Sequence, residues 1–238
     1  GGGLTRPRGG MGMDSQDSHA QAARALGRLE AMGSEHDRAG MARFGINTAR
    51  ALGVSMASMR PLAREIGRDS GVARALWDTG VHEARILACL VFNPREATRE
   101  ELSAMVLELD SWDLTDQFCN KLAVKTPFAW ELAAVWAAHP GEFARRAGYS
   151  LMAQLAVHAK DAPDADFAPL LELVREAARD ERNFVKKAVN WALRQIGKRS
   201  PGLRGLAIAT ARELLGLEGK AARWIARDAL RELEGKAK

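Results

Sequence analysis

Residues 181–199 read ERNFVKKAVNWALRQIGKR. On a helical wheel at about 100° per residue, Val185, Val189, Ala192 and Ile196 fall on one side at i, i+4, i+7 and i+11, the spacing of a stripe that faces a core. Lys187, Trp191, Arg194 and Lys198 repeat that spacing on the far side. The segment therefore reads as a helix that carries a tryptophan on its polar face, among three cations.

The same period extends outward from this segment. From about Asp14 the pattern is helical throughout, with breaks near Gly33-Ser34, Gly53-Val54-Ser55, Gly80, Asn93-Pro94, Thr126-Pro127, His139-Pro140-Gly141, Ala162-Pro163, Asp180 and Ser200-Pro201-Gly202. Pro in the first turn, and Ser, Thr, Asp or Asn before it, are stop and start signals of helices. About a dozen helices of roughly 10–18 residues result, with no strand-like stretch. Two consecutive helices take up about 35–45 residues, the period of HEAT-type helix pairs. The expected fold is all-α: a right-handed α-α superhelix of HEAT-like repeats with a concave basic cleft, a compact irregular bundle being the alternative. A single domain is expected over 14–238. The Gly-rich opening GGGLTRPRGGMGM, residues 1–13, has no periodicity and reads as a disordered leader.

Composition agrees. Ala, Leu, Arg and Glu dominate the 238 residues, and there is one tyrosine. No apolar run approaches the ~18–20 residues of a membrane span, and no secretory h-region is seen. Cys89 and Cys119 lack a C-x-x-C partner and read as reduced, buried thiols of a cytosolic, bacterial-type protein. The net charge of +5 is unevenly placed: residues 140–238 hold 19 Lys+Arg against 13 Asp+Glu, and residues 1–139 hold 16 against 17. A basic half suggests a surface for a polyanion. The five histidines show no metal-ligand spacing with the cysteines, and no glycine-rich phosphate cradle appears, so neither metal nor cofactor is expected. His82-Glu83 reads as a cap or surface pair.

Two further helices carry polar residues where packing does not demand them. In DSWDLTDQFCNKL (110–122), Leu114, Phe118 and Leu122 form the core stripe, and Trp112, Asp116 and Asn120 lie opposite. In helix 141–158, Ala144, Gly148, Leu151 and Leu155 face inward on the wheel, Arg146, Tyr149 and Ala153 outward, with Arg145 between the faces. Positions 116, 146 and 191 are each about one repeat apart, so that in a solenoid their helices are neighbours on one wall.

Those stretches, together with LWDTGVHEARILA (76–88), FARRAGYSLMAQLAVHAKD (143–161) and DERNFVKKAVNWALRQIGKR (180–199), resemble the AlkD-like DNA alkylation repair family over most of residues 40–235. The resemblance implies a HEAT-like-repeat DNA N-glycosylase that hydrolytically excises positively charged N3- and N7-alkylated purines. Trp112 and Asp116 match the family's W-x-x-x-D pattern, which selects Asp116 over Asp113 as the catalytic carboxylate. Trp191 matches its second cleft tryptophan. Arg145-Arg146 matches an Arg-Arg pair, of which the wheel selects Arg146. Some branches of the family bind DNA without cutting it, so the alternative is a non-catalytic module for damaged or branched DNA.

A cationic purine leaves as a neutral base, so a general acid is unnecessary. The reaction requires stabilisation of an oxocarbenium-like sugar and a positioned water, which a carboxylate supplies. On this reading Asp116 holds that role, Trp112 and Trp191 hold sugar and base, and Arg146 grips a phosphate. Arg145, Lys187, Arg194, Lys198, Tyr149 and Asn120 complete the expected contacts to double-stranded DNA carrying alkylated bases. No lysine takes the carboxylate's place, so a monofunctional hydrolase is expected, acting as a monomer.

Overall fold

The structure, a computed structural model, describes residues 10–235, with side chains from Asp14 onward. The described residues are helical and contain no strand. The chain divides into two compact units, Gly1–Ala97 and Thr98–Lys238. Of the leader expected over 1–13, residues 1–9 lie outside the described residues, and helix is described from Gly10.

The first unit holds α1 (Gly10–Met32), α2 (Glu35–Arg43), α3 (Met56–Ile66), α4 (Ser70–Asp78) and α5 (His82–Val91). Ser34, Ser55 and Asp69 cap the starts of α2, α3 and α4, each accepting from the backbone N–H three residues on. His82 and Glu83 are buried rather than a surface pair. The Glu83 carboxylate accepts from the backbone N–H groups of Leu52 (2.8 Å), Gly53 (2.8 Å) and Val54 (3.3 Å). It thereby satisfies a turn in which Gly53 has a φ of 80°, a conformation open to glycine without a Cβ penalty.

The second unit holds α6 (Arg99–Leu107), α7 (Trp112–Lys121), a 3-10 turn (Ala123–Lys125), α8 (Ala129–Ala137), α9 (Glu142–His158), α10 (Asp164–Phe167), α11 (Leu170–Ala177), α12 (Asn183–Gly197), α13 (Pro201–Leu215) and α14 (Lys220–Leu233). The breaks predicted at Thr126-Pro127, His139-Gly141, Pro163, Asp180 and Ser200-Pro201 all separate helices. Helices pair along the chain, α8 with α9, α11 with α12, and α13 with α14. Between pairs, α7 meets α9, α9 meets α12 and α12 meets α14, forming one layer. α8, α11 and α13 form a second layer behind it. This two-layer stacking is what a HEAT-like period dictates.

α9 is the centre of the unit. It packs on α7, α8 and α12 together, and every residue from Arg146 to Ala156 is buried. Burying each of its Leu and Met side chains is worth about 1.5–3 kcal/mol. The approach of α8 is close enough that a Cβ on Gly148 would meet the Ala137 nitrogen at 2.3 Å. The outward face predicted for α9 at Arg146, Tyr149 and Ala153 does not exist. With neighbours on three sides, such a helix is enclosed all round.

Candidate functional site

The front layer of the second unit brings Asp116, Arg146 and the backbone of α12 into direct contact. Arg146 is 6% exposed. Its Nε donates to Asp116 Oδ1 at 3.2 Å, its Nη2 to Asp116 Oδ2 at 2.9 Å, and its Nη1 to the Phe184 carbonyl at 2.7 Å. Ser150, one turn beyond Arg146 on α9, donates its hydroxyl to Asp116 Oδ1 at 3.0 Å. Three helices are thereby locked around one carboxylate. The Arg146 guanidinium, expected to grip a phosphate, is engaged with Asp116 and the Phe184 carbonyl. Ser150 is not among the residues the sequence singles out, although its i+4 spacing from Arg146 is the signal that places it on the same face.

Asp116 keeps a window to solvent, its side chain being 21% exposed. Oδ1 accepts two bonds and Oδ2 one, which leaves Oδ2 with a lone pair for another group. Burial pushes the carboxyl above its ordinary range, and the charge and hydrogen bonds of Arg146, with the Ser150 hydroxyl, pull against that rise. The fork-to-fork pairing favours the ionised form.

The residues around it follow the predicted stripes. On α7, Leu114 and Phe118 are buried, as is Leu122 just beyond its end, whereas Trp112, Asp116 and Asn120 are partly exposed. On α12, Val185, Val189, Ala192 and Ile196 are buried, Lys187 and Lys198 are exposed, and Trp191 and Arg194 are partly exposed. Trp191 lies two turns, about 10 Å of rise, beyond Phe184 on the same side of α12. Both tryptophans therefore keep a face toward water on helices that flank Arg146.

Other predicted DNA contacts are tied within the protein. Tyr149 is buried and donates its hydroxyl to the Leu173 carbonyl at 2.7 Å; burial pushes its pKa to about 12. It forms no surface. Arg145 pairs with Asp180 at 3.3 Å. Arg194 pairs with Glu232 at 2.7 Å and Asp228 at 3.7 Å, and Lys198 with Glu232 at 2.7 Å. Arg194 and Lys198 are thus engaged by carboxylates of α14, and Lys187 is the cation of the α12 stripe outside these pairs. Cys119 is buried and donates to the Ala147 carbonyl at 3.4 Å, and Cys89 is buried with its thiol pKa raised by desolvation.

The front layer of paired helices thus carries a solvent-touching carboxylate clamped by a buried arginine, and two partly exposed tryptophans. The match to the family model described as DNA alkylation repair enzyme runs over residues 25–233, and the chain belongs to that family. A solved structure similar to it comes from a family of proteins described as related to the HEAT-like repeat DNA glycosylases, with affinity for branched DNA structures. It agrees with a TM-score of 0.74 at 20% identity, over 89% of this chain and 95% of that chain. That likeness shows the HEAT-like fold. No curated protein matches the chain.

Proposed function

We infer that this DNA alkylation repair protein is a monofunctional DNA N-glycosylase that releases positively charged N3- and N7-alkylated purines from duplex DNA. The observation that carries this reading is the Asp116 carboxylate, partly open to solvent yet held by three donors from α9. A substrate whose base already carries a positive charge needs no proton donor. It needs an anion near the sugar as the N-glycosyl bond breaks, with water captured at the anomeric carbon and its proton lost to solvent or to the carboxylate. An anion fixed before the reaction stabilises that charge without reorganising. Arg146 favours the ionised form against the effect of burial. Trp112 and Trp191 offer electron-rich ring faces to a cationic base and its deoxyribose.

The test is release of 7-methylguanine and 3-methyladenine from methylated duplex DNA under single-turnover conditions. Wild-type protein releases them, and Asp116→Asn lowers the rate by about 10²-fold or more. Unchanged release in that variant would remove the mechanism.

A second reading follows from the same pair. A carboxylate already neutralised by a bidentate guanidinium serves equally as a structural link in a protein that binds damaged or branched DNA without excision. It predicts salt-dependent binding with no base released by the wild type.

A further inference from the structure

A further exposed cationic surface of the second unit lies on α14. Ala221, Ala222, Ile225, Ala226, Ala229 and Leu233 bury one face of this helix. The other face presents Lys220, Arg223, Trp224, Arg227 and Arg231 beside Asp228, which together line a hollow of about 440 Å³. Most arginines of this unit are engaged by carboxylates or carbonyls. Among the described residues, however, the side chains of Lys220, Arg223 and Arg227 enter no ion pair, and Arg223 and Arg227 are exposed. Arg231 and Arg194 share Asp228.

Trp224 stands among them, 40% exposed, with the Lys186 ammonium 5.6 Å from its ring centroid. The exposed part of this large indole lies in a hollow lined by cations. The N-terminus of α14 does not add to the surface, because the Glu181 carboxylate already accepts from the backbone N–H groups of Lys220 (2.8 Å) and Ala221 (3.1 Å). Any anion must be met by the side chains. From Lys220 to Arg231 they rise about 16 Å, one cation per turn or nearly so.

We propose that the outer face of α14 is a second DNA-contact surface, on which the cations take the phosphates of one strand and Trp224 stacks on an unpaired base. A basic track with an interleaved aromatic is how proteins hold single-stranded nucleic acid. The favoured partner is therefore DNA with a single-stranded segment beside a duplex. The inference rests on the DNA-directed reading of the chain, but not on base excision.

The experiment measures binding of the full chain to a fluorescent blunt duplex and to the same duplex with a single-stranded overhang, across salt concentrations. Wild type binds the overhang substrate more tightly. The double variant Arg223→Ala/Arg227→Ala weakens both and lowers the slope of log affinity against log salt by roughly 1.5–2. Trp224→Ala weakens the overhang substrate about ten-fold and leaves the duplex within two-fold, and Trp224→Phe restores most of the loss. Unchanged affinity and slope in the double variant, or equal weakening of both substrates by Trp224→Ala, overturns the proposal. Base release by saturating protein is measured alongside. Its absence in the wild type sinks the glycosylase reading, while the binding pattern alone decides this one.

Discussion

Arg146 holds both oxygens of Asp116 at once, through Nε at 3.2 Å and Nη2 at 2.9 Å, while its remaining nitrogen donates to the Phe184 carbonyl. One guanidinium thus fixes both the carboxylate on α7 and the distance of α12 from α9. Lysine lacks the planar fork that makes this pairing possible.

Removing that fork exposes the cost of a stranded carboxylate. Arg146→Ala is expected to destabilise the protein by about 3 kcal/mol, the lower end for breaking a buried pair because Asp116 reaches solvent. Asp116→Ala/Arg146→Ala is expected to cost less than the sum of the two single changes. Denaturant unfolding of the four proteins measures the coupling, and strict additivity would show the pair to be incidental.

The pH dependence of base release follows from the same carboxylate. Burial holds the Asp116 carboxyl above its ordinary range. A carboxyl with a raised folded pKa binds more protons folded than unfolded, so its contribution to stability is largest in acid and falls as pH rises through that pKa. Activity that needs the anion runs the opposite way. The acid limb of single-turnover release should lie above the usual carboxylate value near 4. Ser150 donates to the carboxylate, so Ser150→Ala should move the limb higher still. A limb at or below the ordinary value, unmoved in Ser150→Ala, would assign it to another group.

Asp180 behaves in the opposite sense. Burial opposes its ionisation, but the Arg182 guanidinium and backbone N–H, with Arg145 beyond, outweigh it and hold the carboxyl below its ordinary range. A depressed pKa contributes stability above the unfolded value of about 4 that is lost as pH falls through the folded one. Asp180→Asn should therefore lower the unfolding midpoint at pH 7, and the difference from wild type should shrink toward pH 3.

These side chains mark where the sequence was readable. On α7 and α12 one face meets the protein and the other meets water, so a period of 3.6 separated Leu114 from Asp116 and Val189 from Trp191 correctly. α9 has protein on three sides, and its Ala, Gly and Ser residues suit an interior and a surface equally. The wheel had no solvent face to find there, which is why Arg146 and Tyr149 were placed outward. Pairing partners were hidden for another reason: Glu232 lies 34 and 38 residues from Lys198 and Arg194, a separation that charge counting along the chain does not see. Glu83 is hidden likewise, since its partners Leu52, Gly53 and Val54 belong to a turn about 30 residues earlier.

That turn gives a stability test in the first unit. Glu83→Ala removes the acceptor of three backbone N–H groups, two of them in buried contacts. Leaving a buried donor unmade costs about 1–3 kcal/mol, so a loss of about 3 kcal/mol or more is expected. Amide hydrogen exchange at residues 52–54 should accelerate ahead of the rest of the unit. Protection that survives there would mean the carboxylate is replaceable.

Two glycines separate close packing from mere helix propensity. A Cβ at Gly148 meets the Ala137 nitrogen at 2.3 Å, its Cα at 2.7 Å and the Ala133 carbonyl at 2.8 Å, all backbone atoms of α8 with no rotamer to yield. Gly148→Ala must therefore push α8 away from α9, the helix that carries Arg146 and Ser150. Overpacking of this kind costs about 1–3 kcal/mol or more. Gly205 also lies inside a helix, α13, but a Cβ there meets nothing within 4 Å. Gly205→Ala should stabilise by about 0.5–1 kcal/mol, through the freedom the unfolded chain loses. Thermal unfolding of both variants tests the contrast, and base release at a temperature where both are folded tests its consequence: Gly148→Ala should lose activity beyond its loss of stability, because shifting α9 misplaces the two donors that aim Asp116. Equal midpoints for the two variants would mean that the α8–α9 contact is looser than these distances require.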